Sequence, residues 1–168
     1  MLPPDSELTS MFHMGLTNQE IADYFKVSRQ AVSKRLVRLG LVRRPYSDRA
    51  NKIIGRAWKI KNTKTKTSHH CKIEIKYLRW LLRRNLGDQL NDDQNGRLDR
   101  WIQRIKEQNI ILCYDPNTLH GFYYRERQLE DGDLAMDWPR DVPLPEGDEL
   151  GAIRIPGFGQ ECGLKQGA

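Results

Sequence analysis

Between positions 29 and 34 the stretch VSRQAVSKRLVRLG carries Arg29, Gln30, Ser33 and Lys34, whose side chains can recognise a base edge or a phosphate. An arginine fork donates two parallel hydrogen bonds to guanine, and a glutamine amide both donates to and accepts from adenine. Lys34, one helical turn on, can reach guanine acceptors or a phosphate, and Ser33 can contact either. Val32, Leu36 and Leu39 recur at i, i+4 and i+7, so on a helix they share one face. The spacing predicts a helix buried along one stripe, with hydrogen-bonding groups on the opposite side.

The flanking residues supply what such a helix needs for a fixed position. In LTNQEIADYF, Thr17 and Glu20 have the spacing of a capping box, and Ile21, Ala22 and Phe25 form the apolar stripe of a preceding helix. KVS is the turn, and Ser28 caps the next helix. Small Ala22 suits a helix crossing, Val27 enters the turn five residues later, and Val32 docks the second helix five beyond that. This is helix-turn-helix spacing. Lys26 stands where such turns favour glycine, at some strain. Arg35 stands where an apolar residue is usual, and Leu36 next to it can take over the burial while the Arg35 stem lies along its edge. Residues 5–14 read as an earlier helix with Asp5 or Ser6 as cap and Leu8, Met11 and Phe12 inward. Gly40 ends the helix after the turn, and Pro45 blocks easy continuation. Asn18 and Ser28 begin helices whose free N–H groups favour an anion, which assigns them to phosphate contact along with Arg38, Arg43 and Arg44.

Charge is unevenly distributed. The chain of 168 residues has a net charge of +6, but residues 46–86 hold 12 basic groups against 2 acidic, and residues 128–168 hold 3 against 9. A basic stretch beside a helix with an exposed polar face points to a polyanionic partner. Its candidate phosphate contacts are Arg56, Lys59, Lys61, Lys64, Lys66, Lys72, Lys76, Arg79, Arg83 and Arg84. Ile53, Ile54, Ala57 and Trp58 make a further helix between Tyr46 and about Ile60, and KNTKTKTSHH reads as a flexible basic loop. IEIKYLRWLLRRNLG is a strong helix with Ile75, Leu78, Leu81 and Leu82 inward, and RLDRWIQRIKEQN is another with Leu98, Trp101, Ile102 and Ile105 inward. IILCYD and FYYRER flank PNTLHG as a β-hairpin.

The expected fold class is mainly α with a small α+β part. Residues 1–45 form a helix-turn-helix DNA-binding domain, 46–70 a partly helical basic linker, 71–145 a C-terminal domain of helices plus a hairpin, and 146–168 a disordered tail. No membrane span is expected, since no run of 18 apolar residues occurs. The N-terminus lacks the basic and apolar regions of a secretory signal, and Cys71, Cys113 and Cys162 read as free thiols of a reducing cytoplasm. Asp88, Asp92 and Asp93 read as helix-capping residues rather than a nuclease metal cluster. His69, His70 and Cys71 are adjacent and cannot close a tetrahedral metal site alone. Trp58, Trp80 and Trp101 read as core anchors. Neither a phosphate loop nor a catalytic nucleophile motif is present, so no enzyme activity, metal, cofactor or small-molecule substrate is expected.

NQEIADYFKVSRQAVS, LDRWIQRIKEQNIILCYDP and GFYYRERQLEDGDL together resemble the immunity repressors of temperate mycobacteriophages, over about Leu16 to Leu134. The resemblance implies a phage-encoded transcriptional repressor, working in the bacterial host cytoplasm, that maintains lysogeny and superinfection immunity. It further implies that the chain binds asymmetric double-stranded operator and stoperator sites as a monomer, through the helix-turn-helix and a second DNA-contacting domain. The sequence departs from the family at NTKTKTSHH. Two alternatives remain open from the residues: a dimeric helix-turn-helix regulator, and a phage recombinase or nuclease targeted by this head. An interaction module without DNA affinity is a third.

Overall fold

The computed structural model describes residues 3–62 and 68–158. The chain divides into two units, 1–45 and 46–168. Lys64 and Lys66 lie outside the described residues.

The first unit contains three helices: α1 (Asp5–His13), α2 (Asn18–Phe25) and α3 (Arg29–Arg38). Leu8, Ile21, Ala22, Val32 and Leu36 form its buried core, with Met11, Phe12, Phe25, Val27 and Leu39 packed against it. The Thr17–Glu20 capping box is complete, and the Thr17 amide holds the Glu20 carboxyl below its ordinary pKa. Asp5 is not the cap of α1: Pro4 holds that position, and the Asp5 carboxylate accepts from Arg35 Nε at 2.6 Å. That pair explains how Arg35 is accommodated where an apolar residue is usual, with Leu36 beside it only 2% exposed. Gly40, at φ +73°, closes α3: its amide donates to Val37, and the Leu41 amide donates to Leu36. This is the pattern that a left-handed residue permits at a helix end.

α4 (Pro45–Ala57) lies in the second unit from Tyr46 onward; its first residue, Pro45, is the last of the first unit and needs no amide partner at that position. Then come a short 3-10 turn at His69–Cys71, α5 (Ile73–Asn85), α6 (Asp92–Gln108), β1 (Ile110–Tyr114), β2 (Phe122–Glu126), another 3-10 turn at Leu129–Asp131, and α7 (Asp148–Ala152). The strands pair antiparallel, with Leu112 opposite Tyr124. α6 starts five residues before the expected stretch, because Asn91 and Gln94 form a capping box ahead of it. Asp92 and Asp93 lie in the first turn of α6, whereas Asp88 pairs with Arg83.

Two expected boundaries are corrected. The segment 46–70 is not a linker: Ala50, Ile53, Ile54 and Trp58 belong to the same buried cluster as Ile75, Leu81 and Ile105, and the Trp58 indole donates to the Asp137 carbonyl at 3.1 Å. An amphipathic stripe of that size needs a surface to cover it, and α5 and the hairpin are in the same core. The segment 146–158 is not a tail. Ala152, Ile153 and Ile155 are buried, the Ala135 amide donates to Ile153, and the Asn85 amide donates to the Ala152 and Arg154 carbonyls at 3.0 Å. Residues 159–168 lie outside the described residues. Among the described residues, no helix is long and apolar enough to cross a membrane.

Candidate nucleic-acid interface

α3 owes its position to its N-terminal turn. Phe25 ends α2, Lys26 adopts the left-handed conformation at φ 53°, ψ 43°, and the Val27 amide donates to Ala22. The Ser28 hydroxyl oxygen then accepts from the Ala31 amide at 3.1 Å. The chain thus reverses within three residues, and Ala22, 1% exposed, lets the two helices cross closely. A longer side chain at Ala22 would push α3 outward and tilt its polar face.

That face is presented with little intramolecular restraint. Arg29, Gln30 and Lys34 are exposed and Ser33 is half-buried. Among the described residues, none of the four makes a side-chain hydrogen bond or ion pair. Arg38 and Arg44 are also exposed and unpaired among the described residues. By contrast, Arg43 is taken up internally: it donates to Asn18 Oδ1 at 2.7 Å and to the Leu16 carbonyl, and it lies over the Phe12 ring at 4.7 Å. Arg43 therefore fixes the chain after α3 to the start of α2, through neutral acceptors that leave its charge uncancelled. Asn18 spends its oxygen on Arg43 but keeps its amide N–H groups, and Ser28 keeps its hydroxyl proton.

The expected phosphate contacts of the second unit divide into engaged and unengaged cations. Arg56 is paired with Glu149 at 2.8 Å, Arg83 with Asp88 at 2.8 Å and Arg84 with Asp99 at 2.8 Å. These three help hold the unit's own elements together, so in each an internal carboxylate competes with the expected phosphate contact. Lys59 and Lys61 are exposed. Lys72, Lys76 and Arg79 gather at one side of α5 with Asn51 of α4. Asn51 and His70 both bind the Arg79 guanidinium, a role that no local sequence pattern announces because Asn51 lies 28 positions away.

The adjacent histidines point to different partners. His69 is 3% exposed, with Nδ1 2.8 Å from the Tyr114 hydroxyl and Nε2 3.1 Å from the Leu119 carbonyl. Its ring lies so close to Gly121, at φ +86°, that a Cβ there would come within 2.7 Å of Nδ1. His69 is thus a core anchor of the hairpin, and the flexible-loop reading fails at that residue. Among the described residues, no three His, Cys, Asp or Glu side chains group as metal ligands would. Burial pushes the Cys113 thiol up to about 11, which suppresses the thiolate that nucleophilic chemistry needs. Trp58, Trp80 and Trp101 are all buried, as is Trp138. Set beside protein-family models and curated proteins, the sequence finds no match.

Proposed function

We propose that the chain is a sequence-specific double-stranded DNA-binding repressor that acts by occupying its site. It is read as a phage immunity repressor working in the host cytoplasm. One observation carries the reading: α3 offers Arg29, Gln30, Ser33 and Lys34 unpartnered among the described residues, on a helix fixed by a three-residue turn. A helix fits the B-DNA major groove, and side chains of its first two turns reach base edges. Such a helix alone makes few base contacts, so a second surface on a tethered unit adds affinity through high effective concentration. In this reading the basic side of the second unit contacts backbone phosphates, and a monomer occupies an asymmetric site.

Selection from a random duplex library, followed by anisotropy titration, tests the assignment. Arg29→Ala or Gln30→Ala costs about 1–3 kcal/mol on the preferred site and relaxes discrimination at one or two base pairs. Lys64→Ala or Lys66→Ala weakens all duplexes alike and flattens the salt dependence. Loss of affinity in all four variants with unchanged preference would reject base reading by α3. Sedimentation of the complex checks stoichiometry, and a 2:1 complex on one site would reject the monomer.

A further inference from the structure

Lys72, Lys76, Arg79 and Arg83 stand at i, i+4, i+7 and i+11, so they run along one side of α5 and its N-cap. They line a cleft of about 370 Å³. Like charges at this spacing repel, and the fold carries that cost unless an anion offsets it. Asp88 answers Arg83. Among the described residues, no carboxylate lies within ion-pair distance of Lys72, Lys76 or Arg79.

Arg79 is nevertheless held in place. Its Nε donates to Asn51 Oδ1 at 2.9 Å, its Nη2 to His70 Nδ1 at 2.7 Å, and its Nη1 to the His70 carbonyl at 3.4 Å. All three acceptors are neutral, so they orient the fork without cancelling its charge. Burial lowers the Arg79 pKa, as expected of a cation partly stripped of water, although arginine stays protonated. Among the described residues, two of its five N–H groups remain uncommitted. The Lys76 ammonium lies 5.3 Å from the centroid of the Trp80 ring, which restrains it at the cleft wall. Arg79 and Lys76 are therefore arranged in advance, with no carboxylate paired to them among the described residues.

We propose that this cleft is a phosphate seat, with Arg79 gripping the phosphate through its free N–H groups while Lys72 and Lys76 supply further charge. Assigning the phosphate to the backbone of duplex DNA rests on the function proposed above. A free diphosphate carries the same chemistry.

Cys71 is exposed and lines the cleft, so its alkylation reports occupancy. The full chain is treated with iodoacetamide at low salt, alone, with pyrophosphate, and with a generic duplex. Peptide mass mapping then gives the rate at Cys71. Either ligand slows labelling several-fold in the wild type and in Arg104→Gln, a cation outside the cleft. Protection disappears in Arg79→Gln and is partial in Arg79→Lys, which keeps the charge but not the fork. The log–log salt slope of duplex binding falls by about 0.9 in Arg79→Gln, one phosphate contact. Protection by pyrophosphate alone would keep the seat and overturn DNA as its ligand. Duplex binding by anisotropy with Cys71 protected by neither ligand would overturn the seat and leave the DNA reading intact. Protection by neither ligand would overturn the seat altogether. Tryptophan fluorescence of each Arg79 variant confirms folding, and if Arg79→Gln unfolds, Arg79→Lys with Lys76→Gln carries the test.

Discussion

α3 and α5 both set a polar stripe against a buried apolar one, yet the stripes differ in kind. The outer side of α3 mixes an amide, a hydroxyl and cations, so it holds acceptors as well as donors. The cleft side of α5 offers cations alone. Mixed donors and acceptors can distinguish one base pair from another, whereas a row of donors can recognise only negative charge. The cores behind them also differ. Among the described residues, five buried side chains hold the first unit together and 21 the second. The unit to which the proposed function assigns base reading therefore has the thinner support.

The largest expected effect follows from that disparity. Ile21→Ala removes a fully buried side chain from the small core at a cost of about 2–4 kcal/mol, most of what a unit of this size commands. All four tryptophans lie within 46–168, so their fluorescence reports the second unit alone. In urea, Ile21→Ala lowers the early far-ultraviolet circular dichroism transition and leaves the tryptophan midpoint unmoved. Leu81→Ala, costing about 2–5 kcal/mol, moves the tryptophan midpoint instead. A common shift of both signals would mean that the two cores unfold as one.

The two units were not equally legible from sequence. In the first, local patterns suffice. The capping box, the Ala22–Val27–Val32 spacing and the Gly40 stop each lie within a few residues of what they determine. Even the departure at Arg35 was visible, although its Asp5 partner, 30 positions away, was not. In the second unit α4, α5, most of α6 and the hairpin could be read from period alone, whereas the short α7 could not. What could not be read was which basic residues the fold uses for itself. Arg56 and Arg83 resemble Lys72 and Arg79 in composition, and only the long-range placement of Glu149 and the turn at Asp88 separate them. The same limit made α4 look like a linker, because its apolar stripe is covered by elements far along the chain.

A smaller effect sharpens the comparison at two matching helix ends. α2 and α6 each end on a non-glycine residue in the left-handed region, Lys26 at φ 53° and Asn109 at φ 50°. That conformation costs most L-residues about 1–2 kcal/mol, and asparagine tolerates it better. Lys26→Gly stabilises the first unit by about 1 kcal/mol, and Asn109→Gly stabilises the second by only a few tenths, about 0.3 kcal/mol. Urea midpoints by circular dichroism and by tryptophan fluorescence measure the two separately. Equal gains would show that the Lys26 turn carries no special strain.

The smallest effect concerns pH and separates the two stripes by titration. His70 Nδ1 accepts from Arg79, which requires the neutral ring with its proton on Nε2. Burial, then the Arg79 charge, pushes its pKa below the ordinary 6.5, with the His69 ring adding slightly and a backbone contact at Ile60 opposing. The unfolded chain therefore binds more protons between about 6.5 and the lower folded value, so the second unit loses stability as pH falls through that window. The ring is exposed, which keeps the loss small. His70→Gln retains an acceptor for Arg79 and cannot titrate, so its tryptophan midpoint falls less than that of the wild type between about pH 7.5 and 5.5. Equal falls would show that the His70 ring does not hold the guanidinium. The stretch RQAVSKRLVR of α3 contains no histidine or carboxylate, so under the proposed function base preference stays constant over the same interval while the cleft changes.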